Sequence, residues 1–198
     1  MTSARTHPPT SPRTRSALPG ALVLAALLFL TPGHAAAEPG AGDLTGTWRH
    51  IGGKSEQRKL RAAIDDSVAE MTVLARGLAR KRLVKGSRIP QQLRIEASEH
   101  LIAVRHDGRE RLSSPPGHVT RTVSATGDEI ELLHELRADS LVQYRTTRDG
   151  GRRTTYRVDS KRQRLMVEVV TSSHYLPSAV TYQLTYERVA DVANTPRD

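Results

Sequence analysis

The sequence predicts a mainly β protein: a closed antiparallel up-and-down barrel of eight to ten strands, with a helical insertion between strands 1 and 2. Short segments of alternating apolar and polar residues recur from Gln92 to Val189, separated by turn signals such as Asp107-Gly108. One clearly helical region precedes them. Because a long open meander would leave two exposed strand edges, pairing of the first strand with the last is favoured.

The N-terminal residues 1–37 have the pattern of a signal peptide. Three arginines precede the apolar run Ala21–Leu30, and Ala35-x-Ala37 fits a small-residue cleavage site. The run is well short of the roughly 20 apolar residues that a membrane-spanning helix needs. We therefore expect cleavage after Ala37. The chain contains no cysteine, so an exported protein of this kind fits a bacterial periplasmic or secreted product that needs no disulfides.

The rest of the chain divides into a flexible lead-in (38–42), one barrel domain (43–189) and a disordered tail (190–198). A chain of this length can bury a core without disulfides. The first strand is predicted at Leu44–Ile51, with Gly46 and Trp48 on one face, and Gly52-Gly53 ends it.

Residues 54–88 form a basic amphipathic helical insertion. This segment holds ten basic and four acidic residues, so it carries an excess of six positive charges within a chain of net charge +9. Ser55 is a plausible N-cap, and the segment forms either one helix or two helices divided at Thr72-Val73 or Gly77. Its apolar residues recur every three or four positions and predict one continuous stripe: Leu60, Ile64, Val68, Met71, Leu74 and Leu78.

Three interpretations of this basic segment are open. The first is a solvated helix whose apolar stripe lies on the barrel. The second is a contact with an anionic membrane surface, for which the candidate residues are Arg76, Arg80, Lys81, Arg82 and Lys85. The third, nucleic-acid binding, is disfavoured because the segment lacks the interleaved aromatic residues that stack on bases.

The later strands place apolar and polar side chains on common faces. Tyr182, Leu184 and Tyr186 share a face of the last strand, and Gln143 and Arg145 share a face of an earlier one. If these faces point inward, the lumen is apolar with a few polar groups, the usual composition of a small-molecule pocket. The predicted ligand-binding residues are Gln143, Arg145, Tyr156, Tyr182 and Tyr186. Arg145 is the candidate for an anionic head group; a solvated arginine is the alternative, since a one-residue shift would turn every side chain over.

The segment DLTGTWRHI, the helical insertion after it and the closing TYQLTYERV together resemble the calycin barrels, which include lipocalins and fatty-acid-binding proteins. The order of elements is closest to the fatty-acid-binding type, which has ten strands and a helix-turn-helix lid after the first. The resemblance implies that Gly46, Trp48 and Arg188 close one barrel end, with Arg188 packed across the Trp48 ring. It departs at Leu184, where that family carries a carboxylate-binding arginine two residues before the tyrosine.

No motif for catalysis is found. The histidines lack a compact metal-ligand spacing, no cysteine is available, and neither a Gly-x-Ser-x-Gly motif nor a phosphate-binding loop occurs. We therefore expect no enzymatic activity, no cofactor and no metal. The expected function is binding of a small apolar or amphipathic ligand in the lumen of a monomer, with the helical segment as a lid. The alternative is a protein-interaction or inhibitor barrel with a solid core, and cavity volume distinguishes the two.

Overall fold

The computed structural model describes residues 41–108, 111–124, 127–159 and 161–189. The predicted signal peptide, most of the lead-in and the predicted tail lie outside these residues. These described residues include three helices: α1 (Ala41–Leu44), α2 (Gly53–Ser67) and α3 (Val73–Gly86).

Ten strands form one antiparallel sheet, which confirms the predicted fold class. They are β1 (Gly46–His50), β2 (Gln92–Ala97), β3 (Ile102–His106), β4 (Arg111–Ser114), β5 (Thr120–Val123), β6 (Glu129–Leu136), β7 (Ser140–Thr147), β8 (Gly150–Asp159), β9 (Arg164–Ser173) and β10 (Val180–Arg188). Each strand pairs with its sequence neighbour except at one junction, between β4 and β5.

The first strand pairs with the last, so the meander curls into a barrel. β1 lies between β2 and β10, with Trp48 opposite Arg188. Within the described residues, β4 and β5 are the two ends of the sheet. Pro116, in the segment between β4 and β5, forms an isolated β-bridge with His134 of β6 in the gap between these ends. The barrel is therefore nearly closed, where the sequence predicted full closure: β4 and β5 have only four residues each and do not pair.

Helix α2 packs on the barrel through its apolar side. Leu60 and Ile64 are buried, as is Val68, which directly follows the helix. The predicted N-cap at Ser55 is wrong. The helix begins two residues earlier at Gly53, whose φ of +54° lies in the left-handed region that glycine tolerates, and no side chain caps it.

The predicted continuous apolar stripe is also wrong beyond Val68. The chain turns at residues 68–72, and α3 starts in a new direction at Val73, at one of the two predicted division points. Leu74 and Leu78 are 88% and 54% exposed, and α3 buries none of its residues. Basic and apolar residues alternate around this helix, so no single side can be buried. No described helix has the length and apolar character needed to cross a membrane.

Candidate functional site

The two ends of the barrel differ in their chemistry. We call the end that carries α3, the β7–β8 turn and the β9–β10 loop the mouth. The opposite end is filled by Trp48, which is fully buried and whose indole N–H donates to the Leu44 carbonyl at 3.0 Å.

Arg188 covers Trp48 at this filled end. Its guanidinium carbon lies 4.3 Å from the centre of the indole ring, and its Nη1 donates to the Thr45 carbonyl at 2.7 Å. Gly46 allows this close approach: its φ is +144°, and a Cβ there would lie 2.6 Å from Arg188 Nη1. The three residues assigned to barrel closure are thus brought together around one indole.

A cavity of about 40 Å³ lies inside the barrel toward the mouth. Its apolar wall comes from β2, β9 and β10, including Leu93, Val167 and Leu184. All five predicted ligand-binding residues also line it: Gln143, Arg145, Tyr156, Tyr182 and Tyr186. The structure brings these residues to one place, and their role in binding stays a prediction.

Two arginines lie side by side on the inner surface of the sheet that lines this cavity. Arg145 of β7 is the direct cross-strand partner of Arg152 of β8, and both line the cavity. Arg152 donates from Nε to Thr171 Oγ1 at 3.2 Å and from Nη2 to the Gly86 carbonyl at 2.9 Å. It therefore joins the mouth end of the barrel to the end of α3.

The charged side chains among the described lining residues of the cavity are all cationic. Burial, reinforced by Arg145 and Arg152, lowers the pKa of His106 to about 4, although Asp107 opposes the shift. His106 is consequently neutral at pH 7. Arg88 is a third guanidinium in the cavity wall, and no carboxylate is among the described lining residues.

Three tyrosines supply neutral hydroxyl groups. Burial raises the pKa of Tyr156, Tyr182 and Tyr186 above the ordinary value, so all three stay protonated throughout the neutral range. The Tyr186 hydroxyl donates to the Pro90 carbonyl at 3.1 Å, which ties β10 to the segment after α3.

A buried histidine connects the wall of the cavity to the gap between β4 and β5 through hydrogen bonds. His134 of β6 is fully buried, with Nε2 2.9 Å from Gln143 Nε2 and Nδ1 2.8 Å from Ser114 Oγ. With the amide nitrogen of Gln143 donating, His134 accepts at Nε2 and donates from Nδ1 to Ser114. Burial lowers its pKa to about 4, which keeps the ring neutral in this role.

The cavity lies beneath an open depression at the mouth. The depression has a volume of about 310 Å³ and shares Arg145 and Arg152 with the cavity. Gly86 lies on its helical side, and Thr171 and Asp149 lie on the strand side. A larger depression of about 1000 Å³ lies at the rim of β5, β6 and β7, but six of its eleven described lining residues are charged and only two, Val123 and Ile130, are apolar. The smaller depression is therefore the better candidate for a ligand site, since it opens onto the two arginines of the cavity.

Sequence reasoning missed Arg88, His106 and Arg152 in this site. Strand alternation would have placed Arg152 beside Thr154 and Tyr156, but its partner Arg145 was recognisable only once the β7–β8 register was known. Arg88 follows a helix, where no periodicity predicts direction. Among the described residues, no cluster of three or more metal-ligating side chains occurs.

The five predicted membrane-surface residues lie on or beside the exposed face of α3. Arg80 pairs with Asp65 of α2, with 2.7 Å between Nε and Oδ1, and Arg76 donates to the carbonyls of Ala69 and Met71. Lys81, Arg82 and Lys85 are exposed. Exposed Val73, Leu74, Leu78 and Val84 stand between these cations.

No protein-family model and no curated protein sequence match this chain. Solved structures do. The fluorescent protein UnaG superposes with a TM-score of 0.50 at 12% identity, covering 75% of this chain and 99% of its own. The apo lipid binding protein 8 of Caenorhabditis elegans gives 0.48 at 9% identity (75% and 96% covered), and a Schistosoma mansoni fatty acid binding protein in complex with arachidonic acid gives 0.45 at 12% (77% and 100%).

At such low identities, the likeness concerns the fold. Ten antiparallel strands, two helices between β1 and β2, and pairing of β1 with β10 give this chain the same barrel fold as UnaG. The resemblance drawn from the sequence is confirmed at this level.

Proposed function

We propose that this protein binds a small apolar or amphipathic molecule inside the mouth end of the barrel. The observation that carries the proposal is the polar lining of an otherwise apolar lumen. Arg145, Arg152 and Gln143 face inward next to Leu184 and Val167. A mainly apolar lining with a few polar side chains is the usual composition of a small-molecule pocket, in which the polar groups orient the ligand.

The ligand-free lumen is small, so binding requires movement. A cavity of about 40 Å³ holds a few water molecules, whereas pockets for drug-sized ligands measure roughly 300–1,000 Å³. The mouth depression, at about 310 Å³, is at the lower end of that range. A ligand would occupy this depression and enlarge the cavity beneath it.

Helix α3 is the element suited to act as the lid. It buries no residue of its own, and Leu83 is its only side chain packed against the main core among those described. Its end is held by the hydrogen bond from Arg152 to the Gly86 carbonyl. Because Arg152 also lines the cavity, a ligand that engages Arg152 would release α3.

Blocking the lumen tests the proposal. Val169 faces the cavity, while its neighbour Val170 faces outward on the same strand. We expect Val169→Trp to abolish the fluorescence increase of an uncharged environment-sensitive dye, and Val170→Trp to preserve it. Overpacking costs about 1–3 kcal/mol, so the melting temperature of each variant serves as the folding control. Equal dye binding by both folded variants would contradict a lumen site.

The protein-interaction barrel is a second candidate, favoured by the small cavity. A lumen of about 40 Å³ is close to a solid core, and Tyr175 in the β9–β10 loop is 71% exposed. Native mass spectrometry of protein purified from its own source separates the candidates. A retained small molecule supports the first, and a stoichiometric bound protein supports the second.

Export and membrane contact complete the proposal. The signal-like residues 1–37 support export, and N-terminal sequencing of the mature protein should begin at Glu38. The exposed apolar and basic residues of α3 support peripheral contact with an anionic membrane, from which an apolar ligand could be transferred. Co-sedimentation with anionic vesicles, lost in a Lys81→Glu/Arg82→Glu variant and weak with zwitterionic vesicles, is expected. Binding that ignores lipid charge would contradict it.

A further inference from the structure

We propose that the groove between α2 and α3 binds the phosphate monoester head group of an anionic membrane lipid. The inference rests on the peripheral membrane contact proposed above and specifies the lipid that this contact recognises. The groove has a volume of about 400 Å³. Its described lining residues come from both helices: Arg61 and Asp65 of α2, and Gly77, Arg80, Lys81 and Val84 of α3.

Side-chain contacts hold the two walls of the groove together. The Arg80 guanidinium makes a bidentate contact with the Asp65 carboxylate: Nε lies 2.7 Å from Oδ1, and Nη2 lies 3.0 Å from Oδ2. In the turn between the helices, Arg76 donates to the Met71 carbonyl at 2.9 Å. A bidentate arginine–carboxylate pair adds geometric specificity to its energy. The separation of α2 and α3 along the groove is therefore defined by these contacts.

Two cations of the groove are available to an anion. The Arg80–Asp65 pair is neutral as a whole. Arg61 and Lys81 are exposed, and neither forms an ion pair with any residue that the structure describes. Their two charges match a phosphate monoester, which carries about −1.5 to −2 charges at pH 7. A phosphate diester carries a single charge and would leave one of the two cations without a partner.

Gly77 leaves room for the head group between these cations. It precedes Arg80 by three residues and Lys81 by four, so all three lie on one side of α3. A Cβ added at Gly77 would have no heavy atom within 4 Å, so the helix surface there is open. A phosphate can consequently approach this side of α3 without displacing a side chain.

Exposed apolar side chains beside the groove favour a membrane lipid over an acidic protein. Val73 in the first turn of α3 is 85% exposed, and Leu74 and Leu78 are exposed as well. Val84, also exposed, lines the groove itself. Helices that carry both apolar and basic residues bind at membrane interfaces, where apolar chains enter the boundary of the acyl region and cations meet the head groups.

Vesicles that differ only in their anionic lipid test the site. Phosphatidic acid has a phosphate monoester head group and phosphatidylglycerol has a diester, and the two vesicle types are compared at equal zeta potential and pH 7.5. We expect the wild type to bind phosphatidic acid vesicles about threefold to tenfold more tightly, as two exposed ion pairs would give.

Filling the groove should remove this preference. Gly77→Gln places an uncharged side chain in the groove and favours the helix, since glycine is a poor helix former. It should bind both vesicle types equally. Ala62→Gln adds the same side chain at an exposed position of α2 outside the groove lining, and this matched control should keep the preference for phosphatidic acid.

A second pair of variants tests the charges. Arg61→Gln removes one of the two available cations and should lower the preference for phosphatidic acid by about twofold to threefold. Lys59→Gln removes an exposed cation of α2 that does not line the groove. It should weaken binding to both vesicle types to the same extent and leave their ratio unchanged.

The outcomes separate this inference from the proposed function. Equal binding of the wild type to both vesicle types, or an unchanged preference in Gly77→Gln, overturns the head-group site while the membrane contact stands. Failure to bind either vesicle type overturns the membrane contact and the site with it, and the lumen function is tested separately by the dye.

Competition distinguishes other sources of the anion. Displacement from phosphatidic acid vesicles by inorganic phosphate equimolar with the accessible lipid would assign the groove to free phosphate. Displacement by poly-glutamate at the same concentration of charge would assign it to an acidic protein. Either result overturns the lipid, and we expect neither competitor to displace the protein.

Discussion

Trp48 shows how one residue closes an end of the barrel. Its indole is fully buried, bonded to Leu44 and covered by Arg188. Replacing it with alanine should cost about 3–5 kcal/mol of unfolding free energy, of which the cation–π contact accounts for about 0.5–2 kcal/mol. Because the cavity proposed to bind the ligand lies toward the opposite end, dye affinity should change little. Thermal melting and a dye titration check this, with the exposed Tyr175→Ala as control; a larger effect on affinity than on melting would contradict it.

Two histidines, the buried His134 and the half-buried His106, make stability depend on pH. The pKa values of His106 and His134 fall from 6.5 to about 4 in the folded protein, so the unfolded chain binds more protons between these values. Above pH 6.5 the unfolding free energy should include the whole contribution of each histidine. It should decrease as the pH falls toward 4, by about 3 kcal/mol for each histidine.

The variant His134→Gln isolates one of these contributions. It should be less stable at pH 7, because Ser114 and Gln143 lose their shared partner, but its stability should fall less steeply from pH 6.5 to 4. Urea denaturation at several pH values measures this slope. Exposed His118→Gln is the control. An unchanged slope in His134→Gln would show that this histidine is not held neutral by the fold.

At the scale of the element, α2 and α3 differ in their attachment. The Glu56 carboxylate in the first turn of α2 accepts from Thr185 N at 3.1 Å and Thr185 Oγ1 at 2.7 Å, and lies 2.9 Å from His50 Nε2. Removing it strands the partly buried Thr185 amide, so Glu56→Ala should cost about 1–3 kcal/mol. Denaturant unfolding tests this against Glu70→Ala, an exposed residue. Equal stability of the two variants would mean that Glu56 does not anchor α2.

The helices also show where sequence reasoning was limited. Periodicity of the apolar residues identified the helical segment and the side of α2 that packs, through Leu60 and Ile64. It could not show that the chain turns before Val73, since Leu74 and Leu78 continue the same spacing. A periodic apolar pattern shows which side of a helix could be buried. It does not show that another part of the protein packs against that side.

At the scale of the whole molecule, strand alternation determined the inward faces, and with them the five residues around the cavity. The alternation along β7 and β8 suffices because each side chain's direction is a local property. The contact of His134 with Ser114 across the gap is different in kind. It joins strands that are not neighbours in the sheet, and it depends on how far the barrel curls.

The gap between β4 and β5 should therefore be the least protected part of the barrel. Both strands have four residues and one partner each, whereas β8 and β9 pair over ten residues. Local opening is cheapest where few contacts are lost. Amide hydrogen exchange should be fast in β4 and β5 and slow in β8 and β9. In His134→Gln, exchange in β4 should increase further because its link from Ser114 to β6 is lost; in His118→Gln it should not. Equal protection of all four strands in the wild type would mean that the barrel closes fully in solution.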